Sequence, residues 1–160
     1  MTTDTRRKQR VLLGIGASIM LTLTAAPTAA QASEVNVGYF GNVAIEGYDP
    51  VAYFTEGKAV KGSEAFAHDW LGNSWHFAND EHRKLFAASP ISYAPQYGGH
   101  CADGVAYGEL VVNIEPEVFK IIDGKLYLSG TAALGIEENT DLMANAEEKW
   151  PALRADLLTQ

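Results

Sequence analysis

The stretch Tyr97-Gly98-Gly99-His100-Cys101-Ala102-Asp103-Gly104 holds the only cysteine of the 160-residue chain. A histidine stands directly before it and a Gly-Gly pair before that. A thiolate is both a nucleophile and a soft metal ligand, and imidazole is a general base and a ligand for copper and zinc. Glycines let backbone come close to a bound ion or ligand. These residue types support four roles for Cys101: metal ligand, reactive nucleophile, half of an intermolecular disulfide, or buried inert thiol. Sequence neighbours point in different directions on a helix or strand. His100 and Cys101 therefore share one ion only if the backbone turns sharply between them. A short helix beginning around Gly99–Cys101 would favour the thiolate through its unpaired N–H groups.

The other candidates are weaker. His68, His76 and His82 show neither H-x-x-x-H nor H-E-x-x-H spacing, and a C-x-x-C pair is absent from the sequence. A closed zinc site would have to gather ligands from distant segments. His68 is expected in the core, His76 in a cross-strand pair with Asp69, and His82 on a solvated helix face. Met143 offers a soft sulfur, but Leu142, Ala146 and Trp150 on the same helix point to packing. Asp103 is expected to cap a turn rather than orient a ligand. The sequence has no nucleophile elbow, no Ser-His-Asp order and no phosphate loop. A Cys-His dyad is the one enzymatic arrangement available, so the expectation leans away from an enzyme and names no catalytic residue.

These residues must be positioned by short elements. Val43–Ile45 and Lys58–Lys61 read as short strands. In "YDPVAYF" (Tyr48–Phe54), Asp49 caps one helical turn that Pro50 opens. "FAHDWLGNSWHF" (Phe66–Phe77) reads as a hairpin turning at Gly72-Asn73, which pairs Trp70 with Trp75, His68 with Phe77 and Asp69 with His76. Asn79–Pro90 reads as a helix capped by Asn79, with Leu85 and Phe86 packed on the hairpin. Val118–Gly130 is a second hairpin with Asp123-Gly124 at its turn. Asp141–Trp150 is an amphipathic helix that Pro151 kinks or restarts. The sum is a small α+β single domain with two β-hairpins and short flanking helices.

Ahead of this domain stands a leader. Arg6, Arg7, Lys8 and Arg10 precede the apolar run Val11–Ala26, and "AQA" (Ala30–Ala32) supplies the small residues of a cleavage site. The pattern is that of a secretory signal peptide spanning residues 1–32. Its apolar run falls short of the roughly 20 residues a spanning helix needs, so no stable membrane insertion is expected after cleavage. "TRRKQ" raises a twin-arginine route against the general one. The expected location is periplasmic or secreted. The leader holds four basic residues and one acid, leaving eight Lys and Arg against 19 Asp and Glu in residues 33–160, a net of −11. Such a charge excludes nucleic acid and anionic lipid as main partners.

"EGYDPVAYFTEGKAVKGS", "WLGNSWHFANDEHRKLFAASPISYAPQYGGHCADGVAYGE" and "DGKLYLSG" occur in this order. Through them the chain resembles the longer, exported bacterial members of the YHS-domain family, over a core of about residues 47–150 within a single 33–160 domain. The resemblance implies a heavy-metal-binding module and carries over Cys101 as the functional residue, but none of His68, His76 and His82. Short family members carry more than one cysteine, whereas this chain has one. Longer members more typically carry an aromatic residue, often Tyr, where His100 stands. The resulting expectation is a metal-ion partner, copper before zinc, on Cys101 with His100 as second ligand. The alternatives are a thiol-based redox protein or enzyme using Cys101, and a cofactor-free structural or interaction module.

Overall fold

Fourteen described residues of left-handed backbone, five of them not glycine, set the path of this chain as much as its strands do. The computed structural model describes residues 33–39, 41–130, 135 and 140–159; the expected leader lies outside them. Its elements are α1 (Ala52–Thr55), β1 (Ser63–Trp70), β2 (Asn73–Phe77), α2 (Asp80–Ala88), α3 (Ala102–Tyr107), β3 (Phe119–Ile122), β4 (Lys125–Leu128) and α4 (Thr140–Leu157). β1–β2 and β3–β4 form two separate two-stranded antiparallel sheets, as expected for a small α+β domain with two hairpins.

The first hairpin turns one residue earlier than the sequence suggested. Leu71 and Gly72 take φ of +51° and +75°, the double positive φ of a tight hairpin turn. Asn73 is withdrawn from the turn because its amide is buried and donates to the Leu71 carbonyl at 2.8 Å and to Ser33 Oγ. Trp70 therefore pairs with Asn73, His68 with Trp75, Asp69 with Ser74 and Ala67 with His76. Each expected partner moves by two positions, which preserves the faces because side chains alternate with period two. Trp70 and Trp75 still meet diagonally, with ring centroids 5.7 Å apart. The Asp69–His76 pair does not form.

α2 seals this aromatic face. Asn79 Oδ1 caps it by accepting from the His82 N–H at 2.8 Å. Phe86 inserts its ring 5.6 Å from Trp70 and 5.1 Å from both Trp75 and Phe77. The inward stripe is His82 and Phe86, four residues apart, so Leu85 points outward and is exposed, contrary to expectation. His82 is buried rather than solvated. Its Nδ1 stands 2.6 Å from Oδ2 of the fully buried Asp49. Asp49 also accepts from the Val51, Ala52 and Ala78 N–H groups. It thus caps α1, as the sequence indicated, and ties α1 to α2.

Two expected strands reduce to single bridges. Val43 pairs only with Ser74, and Lys61 only with Tyr48. Strand growth after Val43 is stopped by a left-handed turn in which Ile45, Glu46 and Gly47 take φ of +41°, +56° and +75°. The second hairpin turns at Asp123-Gly124, as expected. β4 is buried on both sides: Leu126 and Leu128 join the core around Trp75 and Phe86, while Tyr127 joins a second cluster with Val105, Ala106 and Ala146. α4 packs Leu142, Met143, Trp150 and Leu153 onto that second cluster and runs on through Pro151 without restarting.

One buried residue, Asn36, joins these parts. Its N–H donates to the Gly98 carbonyl, and its own carbonyl accepts from Ile45 N–H, both at 2.9 Å. Its side-chain amide donates to the Gly99 carbonyl at 3.0 Å and the Val112 carbonyl at 2.9 Å. Gly98 and Gly99 belong to a second left-handed turn, with Tyr97, at φ of +54° to +83°. A Cβ on Gly98 would lie 1.9 Å from the Glu34 carbonyl oxygen, and one on Gly99 would lie 2.5 Å from Ile45 Cγ2. Asn36→Ala should therefore destabilise the fold by about 2–4 kcal/mol, because it leaves the buried Gly99 carbonyl and the part-buried Val112 carbonyl unpaired. Gly98→Ala should cost more. Urea unfolding monitored by tryptophan fluorescence reads both; a parent-like midpoint for Asn36→Ala would refute the central role of this residue.

Candidate metal site

Past the Tyr97–Gly99 turn the chain runs extended through His100 (φ −69°, ψ 159°) and into Cys101 (φ −57°, ψ 117°), which is the N-cap of α3. The sharp reversal lies before His100 and not between the two candidate ligands. Cys101 is held from both sides: its N–H donates to the Val111 carbonyl at 3.1 Å, and it bridges Leu128 of β4. This clamp explains why α3 begins at Ala102.

The Cys101 thiol is buried, at 4% exposure. Its Sγ accepts the Gly130 N–H at 3.4 Å and lies 3.8 Å from Ser129 Oγ. Ser129 Oγ in turn donates to Asp103 Oδ2 at 3.2 Å. The order thiol, hydroxyl, carboxylate thus runs across the start of α3. Asp103 reaches across to Ser129, a contact the expected turn-capping role did not anticipate. Gly104 lets the Val111 segment approach, since a Cβ there would stand 2.8 Å from Val111 Cγ2.

His100 is buried as deeply, at 3% exposure, and neither ring nitrogen has a hydrogen-bond partner among the described residues. Its ring centroid lies 6.3 Å from that of Trp150. Burial drives its pKa down to about 4, only partly opposed by the Val111 and Glu34 backbone, which favours the proton without reaching hydrogen-bond geometry. The imidazole is therefore neutral across the physiological range. The neighbours of the His100 ring and of the Cys101 sulfur differ, as an extended backbone dictates for successive residues.

The donor set is one thiol and one unpartnered imidazole, with a hydroxyl and a carboxylate near the sulfur. Among the described residues, no group of three or more His, Cys, Asp or Glu gathers as a metal site. The set suits a soft ion of low coordination number better than a four-ligand tetrahedral one. The remaining histidines stand apart: His68 packs against the Phe86 ring, His82 pairs with Asp49, and His76 lies half-buried on the outer face of β2. Met143 packs in the second cluster. The burial of His82 against Asp49 escaped the sequence reading. The i, i+4 pairing of His82 with Phe86 was the available signal.

No helix among the described residues is long and apolar enough to cross a membrane. Compared with protein-family models, curated proteins and solved structures, the chain matches none.

Because the folded-state pKa of His100 lies below its unfolded value of about 6.5, the unfolded chain takes up the proton first as pH falls. The contribution of a neutral His100 is complete above pH 6.5 and is lost as pH falls toward about 4. His100→Phe keeps an aromatic ring and removes this titration. The stability difference between variant and parent should widen in favour of the variant over that window, by about 3 kcal/mol at most. Urea midpoints of the two proteins from pH 7 to 4 measure it. Parallel pH curves would show that His100 does not titrate as a buried imidazole.

Proposed function

We propose that the protein is an exported metal-binding module of the YHS-domain type, holding Cu(I) through the Cys101 thiolate, with His100 joining as second donor once the extended backbone between the two turns on binding. One observation carries the reading: a deeply buried imidazole whose two nitrogens have no partner among the described residues, next in sequence to the only thiol. An unpaired buried polar group costs about 1–3 kcal/mol, and an ion is one of the few things that offsets it. Cu(I) accepts two soft or borderline donors, which is what Cys101 and His100 supply. Zinc would need further ligands. The low pKa of His100 means that no proton competes for that nitrogen near neutrality. Entry of the metal displaces the thiol proton.

A second reading has its own support. The 4% exposure of Cys101 and its packing beside Ser129 and Gly130 also suit a thiol that only fills core space. Anaerobic titration of the reduced protein with Cu(I) against a chromophoric chelator separates the two. The metal reading expects about one equivalent bound by the parent, none by Cys101→Ala, and binding weakened at least tenfold in His100→Phe. Stoichiometric binding by Cys101→Ala would place any site elsewhere. Absence of binding by the parent would leave the packing role.

A further inference from the structure

A second feature lies on the other side of the Asn36 hub. The outer face of β2, the Ile45–Gly47 turn and the Val112-Asn113 segment enclose an open cleft of about 510 Å³, within the size range of small-molecule sites. Val37, Val43 and Val112 form an apolar wall, and Lys61, His76 and Asn113 supply polar groups.

Two of these groups, Lys61 and His76, have no carboxylate partner among the described residues. Lys58, Arg83, Lys84 and Arg154 each pair with a carboxylate. The Lys61 ammonium instead donates to the Glu46 carbonyl and sits 4.4 Å from the centroid of the Tyr48 ring. Among the described residues it has no carboxylate in ion-pair range. The acid nearest Tyr48 is committed too, since the Tyr48 hydroxyl donates to Glu117 at 2.9 Å. The His76 ring likewise has no hydrogen-bond partner among the described residues. Its position is set by two glycines. A Cβ on Gly47 would stand 3.3 Å from His76 Nδ1, and one on Gly62 would lie 2.5 Å from the His76 carbonyl oxygen. The wall carrying Gly47 contains Ile45, a β-branched residue at φ +41°. Such backbone strain persists only where the surroundings enforce it.

In a chain with 20 acids and 12 basic residues, an ammonium without a carboxylate and an imidazole without a hydrogen-bond partner among the described residues, both lining one cleft, suit an external anion. Glu46 is exposed on the same rim and opposes multiple negative charge. The valine wall offers nothing to a bare inorganic ion. We propose that this cleft binds a small aliphatic monocarboxylic acid, its carboxylate on Lys61 and His76 and its chain against Val37, Val43 and Val112. This is independent of the metal reading.

The test follows the four histidine imidazole signals in ¹H–¹³C spectra of the purified protein, assigned through backbone connectivity, during titration with sodium butyrate at constant ionic strength. The expected result is a saturable shift of His76, with the His82 and His100 signals unmoved. Acetate should bind more weakly than butyrate. Lys61→Met, an exposed change, should abolish the shift, and Glu46→Gln should tighten binding about three- to fivefold, the scale of one solvated like-charge interaction. Cys101→Ala should bind butyrate as the parent does. A static His76 signal, an equal response to sodium chloride, a shift that survives in Lys61→Met, or tighter binding of inorganic phosphate than of butyrate would each overturn the proposal.

Discussion

The fold depends on the hydrogen bonding of Asn36. Its backbone and side chain together satisfy carbonyls of Gly98, Gly99 and Val112, and its carbonyl takes the Ile45 N–H. Both left-handed turns are thereby fixed against each other, with Ile45 Cγ2 filling the space that a side chain on Gly99 would occupy. A left-handed β-branched residue is costly in isolation, and here the cost is offset by complete burial of Ile45 and by the bonds around it. Everything downstream inherits this arrangement: the Ile45–Gly47 turn carries one wall of the cleft, and the Tyr97–Gly99 turn delivers His100 and Cys101 into the interior.

Burial and chemistry are in tension at His100. An imidazole without partners is a poor way to fill a core. Histidine at this place gives a ring contact with Trp150 and two nitrogens that nothing in the described structure satisfies. The same burial that makes the position unfavourable for a proton leaves the nitrogen free for a soft ion. Cys101 is constrained differently. The bridge to Leu128 and the Gly130 N–H fix its sulfur relative to β4, so its environment is set by the second hairpin and not by its own helix.

Local chemistry was legible in the sequence; long-range partners were not. The Asp49 and Asn79 caps, the Asp123-Gly124 turn and the faces of the first hairpin follow from residues within a few positions of each other, and each was readable. The hairpin pairing was missed because the Gly72-Asn73 signal gave no hint that Asn73 would be drawn inward to Ser33, 40 positions away. His82 was misread because its partner Asp49 lies 33 residues upstream. Asn36 drew no attention, since an isolated Asn in "SEVNVGYF" resembles any loop residue. For the candidate site, the sequence singled out His100 and Cys101, but not that an extended backbone would give them different neighbours.

The sequence separations within the Asn36 network bear on how the chain is assembled. Asn36 meets its side-chain acceptors 63 and 76 positions later. Contacts of that span close long loops and slow folding through the entropy of closing them. A nascent chain therefore leaves this network open until Val112 has been made, and both hairpins can form before the segment that locks them together has found its place. The first few described residues thus act as a late-closing clasp. Proteolytic trimming of those residues would remove the clasp without cutting any strand or helix, and would weaken the fold as a whole.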